Sequence, residues 1–393
     1  MTPAARVQAA IGLLDGTIAA ALAKGPPADR ILADWFRASR FAGSKDRRAI
    51  RELVYRAIRL CGPVPQNGRA AMLALAEDDP SLLTLFDGSA YGPARIEEGE
   101  LIAEAGVAPA WLAERLAASG IEGVEAQALL ERAPLDIRVN ALKADRESLQ
   151  LPVAGEPLPS FQGLRLPFGT PVEQWTEYRD GLIEVQDGGS QLACQAVAAA
   201  AGETVIDLCA GAGGKTLALA AAMGNAGTLI AADVDRGRLT RLGPRAERAG
   251  AMIAETILLD PGREAEAIGA WRGKADAVLV DAPCSGTGTW RRNPEARWRL
   301  DSAMLDRLTH LQRHLLALAA ELVRPGGRLI YVTCSLLDEE GAEQIAGFLA
   351  RNEGWNAVPP ELPLGRSRGP GLRLTPQHDG TDGFFIARLD KPC

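Results

Sequence analysis

From about residue 203 onward, short apolar runs alternate with helical stretches, and nothing else in the chain constrains its fold as strongly. Thr204–Leu208, Thr228–Ala232, Thr256–Leu259, Ala277–Val280 and Leu329–Val332 read as strands, while Lys215–Met223, Arg236–Ala249 and Met304–Val323 read as helices. Runs this apolar, with no polar residue at every second position, belong to strands buried on both faces. Strand–helix alternation then implies an α/β domain with a mostly parallel sheet wound on both faces. Two closing strands are expected at Trp355–Val358 and Phe384–Leu389.

The chain upstream has two other textures. Residues 1–125 read as helical, with apolar positions at helical spacing in Ile50-Arg-Glu-Leu-Val-Tyr-Arg-Ala-Ile-Arg-Leu60 and breaks at Gly25-Pro-Pro, Gly62-Pro-Val-Pro and Asp79-Pro. Residues 126–190 read as a small α+β subdomain, because Leu135-Asp-Ile-Arg-Val-Asn140 alternates like a strand and proline- and glycine-rich segments follow it. The third domain is 191–393. With 47% hydrophobic and 24% charged residues over 393 positions, the chain can bury two or three cores.

In an open α/β sheet, ligands gather at the carboxyl ends of the strands. The loop Asp207-Leu-Cys-Ala-Gly-Ala-Gly-Gly-Lys-Thr216 stands at such an end and opens a helix. A phosphate loop needs glycine where Cys209 stands, and a dinucleotide loop needs glycine where Thr216 stands. S-adenosylmethionine remains, since its amino-acid end needs a tight glycine turn but no phosphate cradle. Asp233 closes the second strand, where a carboxylate grips ribose hydroxyls; Asp260 closes the third, placed for an adenine. The expected cofactor set is Cys209, Ala210, Gly211, Ala212, Gly213, Gly214, Lys215, Asp233, Arg238, Asp260 and Asp281.

Two cysteines follow core strands: Cys284 in Asp281-Ala-Pro-Cys-Ser-Gly-Thr-Gly288 and Cys334 in Tyr331-Val-Thr-Cys-Ser335. Both thiols should face one crevice, and two thiols without metal-ligand spacing point to covalent chemistry. One cysteine attacks the substrate and the other helps the intermediate resolve. Cys61, Cys194 and Cys393 read as small buried hydrophobes. His310 and His314 have the four-residue spacing of a zinc pair but lack the glutamate of HExxH, so no metal is expected.

These residues match a known pattern. The two cysteine turns, Arg291-Arg-Asn-Pro-Glu-Ala-Arg-Trp298, the glycine loop, Arg138-Val-Asn140, Gln186-Asp-Gly-Gly-Ser-Gln-Leu192 and Asp382-Gly-Phe-Phe-Ile-Ala387 closely resemble the Sun/Nop (RsmB-like) family of RNA cytosine-C5 methyltransferases. Seven motifs appear in family order over about residues 130–393. Where this family often reads Ala-Pro, the chain has Gly211-Ala212. The resemblance implies a Rossmann-like class I methyltransferase domain and S-adenosylmethionine as methyl donor. It also implies Cys334 as nucleophile on cytosine C6, Cys284 as the residue assisting release, and Asp281 as the contact to the cytosine N3/N4 edge. Ser44–Arg59 resembles part of the NusB-type helical domain of the bacterial members, in a region shorter than theirs.

The resemblance implies an RNA partner, with 16S rRNA favoured and tRNA or large-subunit rRNA as alternatives; a non-catalytic assembly factor is the other reading. Net charge is −7, yet eight basic residues lie between Arg37 and Arg59, and Arg291, Arg292, Arg297 and Arg299 follow the Cys284 turn. Both clusters read as candidate phosphate contacts, and Lys215 with the arginines after Cys284 as sources of positive potential at the thiols. The target cytosine must be single-stranded or flipped out. No apolar stretch approaches membrane-spanning length, the N-terminus lacks a secretory layout, and scattered cysteines fit a reducing cytoplasm. Nothing calls for more than a monomer.

Overall fold

A computed structural model describes all 393 residues. The chain divides into two compact units: residues 1–132 with 289–302, and residues 133–288 with 303–393.

The first unit is helical, with α1 Pro3–Leu22, α2 Ala28–Ala38, α3 Ser44–Leu60, α4 Gly68–Asp78, α5 Ala110–Ala118 and α6 Gly123–Ala128. The Thr2 hydroxyl caps α1 by accepting from Ala5 N–H, and the Asp46 carboxylate caps α3 by accepting from Gly43 N–H. Ile50, Val54, Ala57 and Ile58 are fully buried, and this i, i+4, i+7, i+8 stripe packs α3 into a core with Val7 and Leu14 of α1 and Met72 and Leu75 of α4. Burying a large apolar side chain of this kind stabilises by about 1.5–3 kcal/mol. No stretch of near-spanning length is expected from the sequence, but α1 has 20 residues and a mean hydropathy of 1.2. Its apolar residues line this core.

The segment after Cys284 also departs from expectation, because Thr289–Ser302 belongs to the helical unit. Arg297 has no exposed surface. Its guanidinium donates to the carbonyls of Pro294, Ile58, Arg59 and Cys61, closing the carboxyl end of α3. Arg299 donates to the carbonyls of Gly25 and Pro26, and Arg291 is buried. Arg297 and Arg299 are therefore committed to main-chain oxygens and are not open phosphate contacts.

The second unit holds two sheets. The small one comprises β1 Leu135–Val139, β2 Glu156–Pro157, β3 Gly163–Leu166 and β4 Ile183–Val185, antiparallel in the order β2-β3-β1-β4. The short helix α7 (Thr176–Arg179) precedes β4, and α8 (Gly188–Ala196) leads into the large sheet. That sheet contains β5 Thr204–Asp207, β6 Thr228–Asp233, β7 Glu255–Leu258, β8 Ala275–Asp281, β9 Val323–Thr333, β10 Asn356–Val358, β11 Arg366–Arg368, β12 Gly371–Leu374 and β13 Phe384–Asp390. Between them lie α9 Gly214–Ala222, α10 Arg236–Ala249, α11 Glu264–Ala267, α12 Ser302–Leu322, α13 Ala342–Arg351 and α14 Pro376–Asp379.

The strand order is β11-β12-β13-β9-β8-β5-β6-β7, with β10 on β13. The five strands from β9 to β7 are parallel, whereas β10 to β13 are all antiparallel to their neighbours. Successive residues serve opposite faces. Ile206, Val278 and Tyr331 pack with Leu316 and Ala319 of α12 and Ile345 and Phe348 of α13, while Val205, Leu279 and Val332 pack with Leu192 of α8 and Leu219 of α9. The chain runs outward from β5 through β6 to β7, then returns to β8 and β9 on the other side. The crevice between β5 and β8 is the switch point at which such sheets bind ligands.

Candidate active site

Two loops rise from the carboxyl ends of β5 and β8 into that crevice. The β5 loop carries the glycines. Gly213 has φ of +88°, where an L side chain is strained, and a Cβ there would collide with Leu242. Gly211 has φ of +55°, and the guanidinium of Arg238 lies 3.2 Å from where its Cβ would be. Asp233, almost fully buried at the end of β6, accepts from Gly211 N–H and Asp235 N–H at 2.7 Å each. It braces the loop as well as ending the strand. Asp260 is exposed just beyond β7, and Arg238 is exposed on the first turn of α10.

Lys215 stands at the start of α9, and its Nζ donates to Asp281 at the end of β8 over 2.6 Å. Burial opposes the ammonium charge, but Asp281 outweighs it and the Lys215 pKa rises. The cation expected to charge the thiols is thus paired with the candidate base-binding carboxylate. Asp207 is fully buried; one carboxylate oxygen accepts from the Thr216 hydroxyl at 2.7 Å and the other has no partner. Burial first, helped by the charges of Asp281 and Asp233, pushes its pKa up to about 7. Cys209 in the same loop has its pKa raised by burial and the surrounding carboxylates, so it stays an inert thiol.

The thiols meet. Asp281 of β8 pairs in register with Val332 of β9, and Ala282 N–H extends the ladder to Val332 O at 2.9 Å. From that shared level each strand runs on into its cysteine turn, and the Cys284 and Cys334 sulfurs lie 3.3 Å apart. The Cys334 carbonyl accepts from Gly288 N–H at 2.9 Å, and the Gly288 carbonyl from Gly383 N–H at 2.8 Å. A Cβ on Gly288 would strike the Gly383 backbone, so this tie requires glycine. The Cys284 pKa is raised well above the ordinary thiol value, chiefly by the Cys334 bond and then by burial. Burial and the contact with the Cys334 sulfur thus both disfavour the Cys284 thiolate.

The remaining motif residues fasten the small sheet to the large one. Arg138 Nε donates to Gln186 Oε1 at 2.7 Å, and Gln191 Nε2 donates to the carbonyls of Ile137 and Gln186. Asn140 Nδ2 donates to the carbonyls of Gly181 and Ala249 at 2.8 Å each. The Asp187 carboxylate caps α8 and accepts from Asp382 N–H at 3.1 Å. Elsewhere, Cys61 and Cys194 are buried but Cys393 is exposed, contrary to expectation. His310 is exposed on α12 with Nδ1 against the Asp306 carbonyl, and His314 Nε2 lies 3.2 Å from Glu264. Sequence reasoning missed Glu340, Gln312, Ser285, Ser335 and Thr287, a buried polar cluster beneath the thiols. The serines beside both cysteines were the one available signal.

Residues 194–390 match the family described as 16S rRNA methyltransferase RsmB/F. The chain belongs to the RsmB/F family. Ribosomal RNA small subunit methyltransferase B of Xylella fastidiosa is 38% identical over 294 residues, covering 72% of this chain and 68% of that protein. The Sodalis glossinidius protein of the same name is 34% identical over 295 residues, covering 72% and 65%. A Synechocystis relative, 37% identical over 272 residues, is covered over 60% of its length. The matched part of this RsmB/F chain thus spans 60 to 68% of these relatives. Among solved structures, PH0851 matches with a TM-score of 0.75 and 27% identity, over 100% of this chain and 99% of that one. A methyltransferase homologue from Pyrococcus horikoshii matches at 0.58 and 28%, over 72% and 99%. The α/β fold of this RsmB/F member is therefore that of a Rossmann-like methyltransferase.

Proposed function

We propose that this chain methylates C5 of a cytosine in 16S rRNA with S-adenosylmethionine as donor, through a covalent adduct on Cys334. The observation that carries the reading is the 3.3 Å separation of the two sulfurs at neighbouring strand ends.

The β5 loop fits the donor. Its two positive-φ glycines leave a cradle that side chains would fill. Its one cation, Lys215, is committed to Asp281 and so does not serve a phosphate. Asp233 at the end of β6 and Asp260 just beyond β7 are carboxylates suited to ribose hydroxyls and an adenine edge. Cys209 to Lys215, Asp233, Arg238, Asp260 and Asp281 are the residues proposed to hold the donor. When bound, S-adenosylmethionine supplies an electrophilic methyl group on a sulfonium.

Cytosine C5 is a weak nucleophile. Addition of the Cys334 thiolate to C6 breaks the ring's aromaticity and makes C5 enamine-like, which splits one hard step into easier ones. Asp281 contacts the N3/N4 edge and favours ring protonation during that addition. Once C5 carries its methyl group, solvent takes the C5 proton, the electron pair left behind restores the C5–C6 double bond and expels the Cys334 sulfur as thiolate, and Cys284 assists this elimination. The base must leave its stack to reach the crevice. On the helical unit, Arg40, Lys45, Arg48 and Arg51 are exposed and suit an RNA backbone.

The test is transfer of labelled methyl from S-adenosylmethionine to 16S rRNA, 23S rRNA and tRNA, with nucleoside analysis of the product. The expected result is 5-methylcytidine in 16S rRNA, abolished by Cys334→Ala. Label in another nucleoside, or full activity in that variant, overturns the reading; preference for tRNA or 23S rRNA overturns the choice of substrate.

A further inference from the structure

Beneath the thiols lies a carboxylate with no part in the reaction as described. Glu340 ends a short helical turn, Asp338–Glu340, six residues after Cys334, and has no exposed surface. Its Oε1 accepts from Ser285 N–H and from Gln312 Nε2, each at 2.9 Å, and its Oε2 accepts from the Ser285 hydroxyl. Its own carbonyl accepts from the Tyr331 hydroxyl at 2.8 Å. Gln312, fully buried on α12, also donates from Nε2 to the Pro283 carbonyl at 2.9 Å.

Pro283 and Ser285 flank Cys284, so Glu340 and Gln312 hold that turn on both sides of the sulfur. The other turn is tied to the same cluster. The Ser285 hydroxyl lies 3.2 Å from the Ser335 hydroxyl, which in turn lies 3.2 Å from the Thr287 hydroxyl. Leu336 N–H donates to Thr287 Oγ1 at 2.8 Å, and Leu337 N–H to Ser335 Oγ at 3.1 Å. A carboxylate bonded only to neutral donors is costly to bury. A core of the same shape could be apolar; the three donors here all belong to, or hold, the Cys284 turn.

We infer that Glu340 is a positioning residue for the thiol pair: by anchoring Ser285 and Gln312 it fixes the Cys284 turn against the Cys334 turn and thereby governs release of the product. The link to release rests on the covalent reading above; the link to thiol separation does not. The experiment therefore has two arms. In the first, without RNA, the full-length protein is treated with diamide, which takes two electrons and two protons from the thiols as they form a disulfide. The Cys284–Cys334 peptide pair is followed by mass spectrometry. Glu340→Ala should slow this pairing about tenfold or more, whereas Glu340→Gln, which keeps an acceptor for Ser285 N–H, should stay within about threefold of the parent.

In the second arm, Glu340→Ala should lower kcat by about a hundredfold, the loss expected from a misplacement of the order of 1 Å. KM for RNA should change little, and covalent adduct should accumulate. Where Glu340→Ala fails to fold, Ser285→Ala carries the test, because it cuts the hydroxyl link to Ser335 and keeps the carboxylate; it should slow pairing severalfold. Pairing at the parent rate in these variants overturns the inference, and so does slowed pairing with unchanged kcat. Full activity of Cys334→Ala would instead overturn the covalent reading, and the pairing arm would still decide whether Glu340 sets the thiol separation.

Discussion

The sulfurs of Cys284 and Cys334 lie 3.3 Å apart, although 50 positions separate them in the chain. Their strands are in-register neighbours, so the contact is a property of the sheet and not of either turn alone. If Cys284 assists elimination, its loss should stall the reaction after methyl transfer. Cys284→Ala is expected to yield a covalent protein–RNA complex that runs slowly on a denaturing gel and vanishes when Cys334→Ala is added. Normal turnover with no adduct would remove Cys284 from the release step.

The Lys215–Asp281 pair ties the donor loop to the base contact across 2.6 Å, with the lysine side chain 13% exposed. Removing the cation leaves a half-buried carboxylate without its partner. Lys215→Met should therefore lower kcat/KM for RNA by about a hundredfold. Lys215→Arg should not restore it, because a planar fork does not substitute for a point charge in a fixed gap. Steady-state kinetics of both variants check this, and near-parent rates in Lys215→Met would exclude the pair from the mechanism.

What the sequence made legible follows the physics of its signals. β5, β6 and β8 were readable because strands buried on both faces must be continuously apolar. β11 and β12 escaped because Arg366-Ser-Arg-Gly-Pro-Gly-Leu-Arg-Leu374 is short, charged and rich in turn formers. The start of β9 was hidden by Pro325-Gly-Gly327, and the register shifts between Ala275 and Ala277 of β8 opposite it. Both cysteines were readable as strand-end residues. Glu340 was not, since Asp338-Glu-Glu340 looks like a solvated acidic run until tertiary structure buries its last member. Arg297 misled for the same reason: charge in a sequence carries no mark of whether carbonyls or phosphates will receive it.

That contrast is measurable within the helical unit. Lys45, Arg48 and Arg51 are exposed along α3, whereas Arg297 is sealed among carbonyls. Changing Lys45, Arg48 and Arg51 to glutamate should weaken RNA binding and reduce the slope of log K against log salt by about 0.7 for each phosphate no longer neutralised. Arg297→Ala should leave that slope intact in the folded protein and destabilise the unit by roughly 3 kcal/mol or more, because it leaves buried carbonyls without donors. Binding titrations across a salt series, with thermal melts, separate the two. A flattened slope in Arg297→Ala would reinstate it as a phosphate ligand.

Asp207 makes a pH-dependent contribution to stability of definite sign. Its pKa is pushed up to about 7 in the fold, from an ordinary value near 3.8, chiefly because burial penalises the charge. Between those values the folded state keeps a proton that the unfolded state has released. The contribution of Asp207 to stability must therefore fall as pH rises through that window, by up to about 1.4 kcal/mol per pH unit, and the loss is complete above the folded pKa. Over the full window the cost is roughly 4 kcal/mol. Asp207→Asn holds a neutral group there at every pH. Its melting temperature relative to the parent should rise steadily between about pH 4.5 and 7.5. Calorimetric scans of the two proteins across that range decide the matter: parallel curves would mean that Asp207 is already ionised in the fold, with its unpartnered oxygen solvated through the donor crevice.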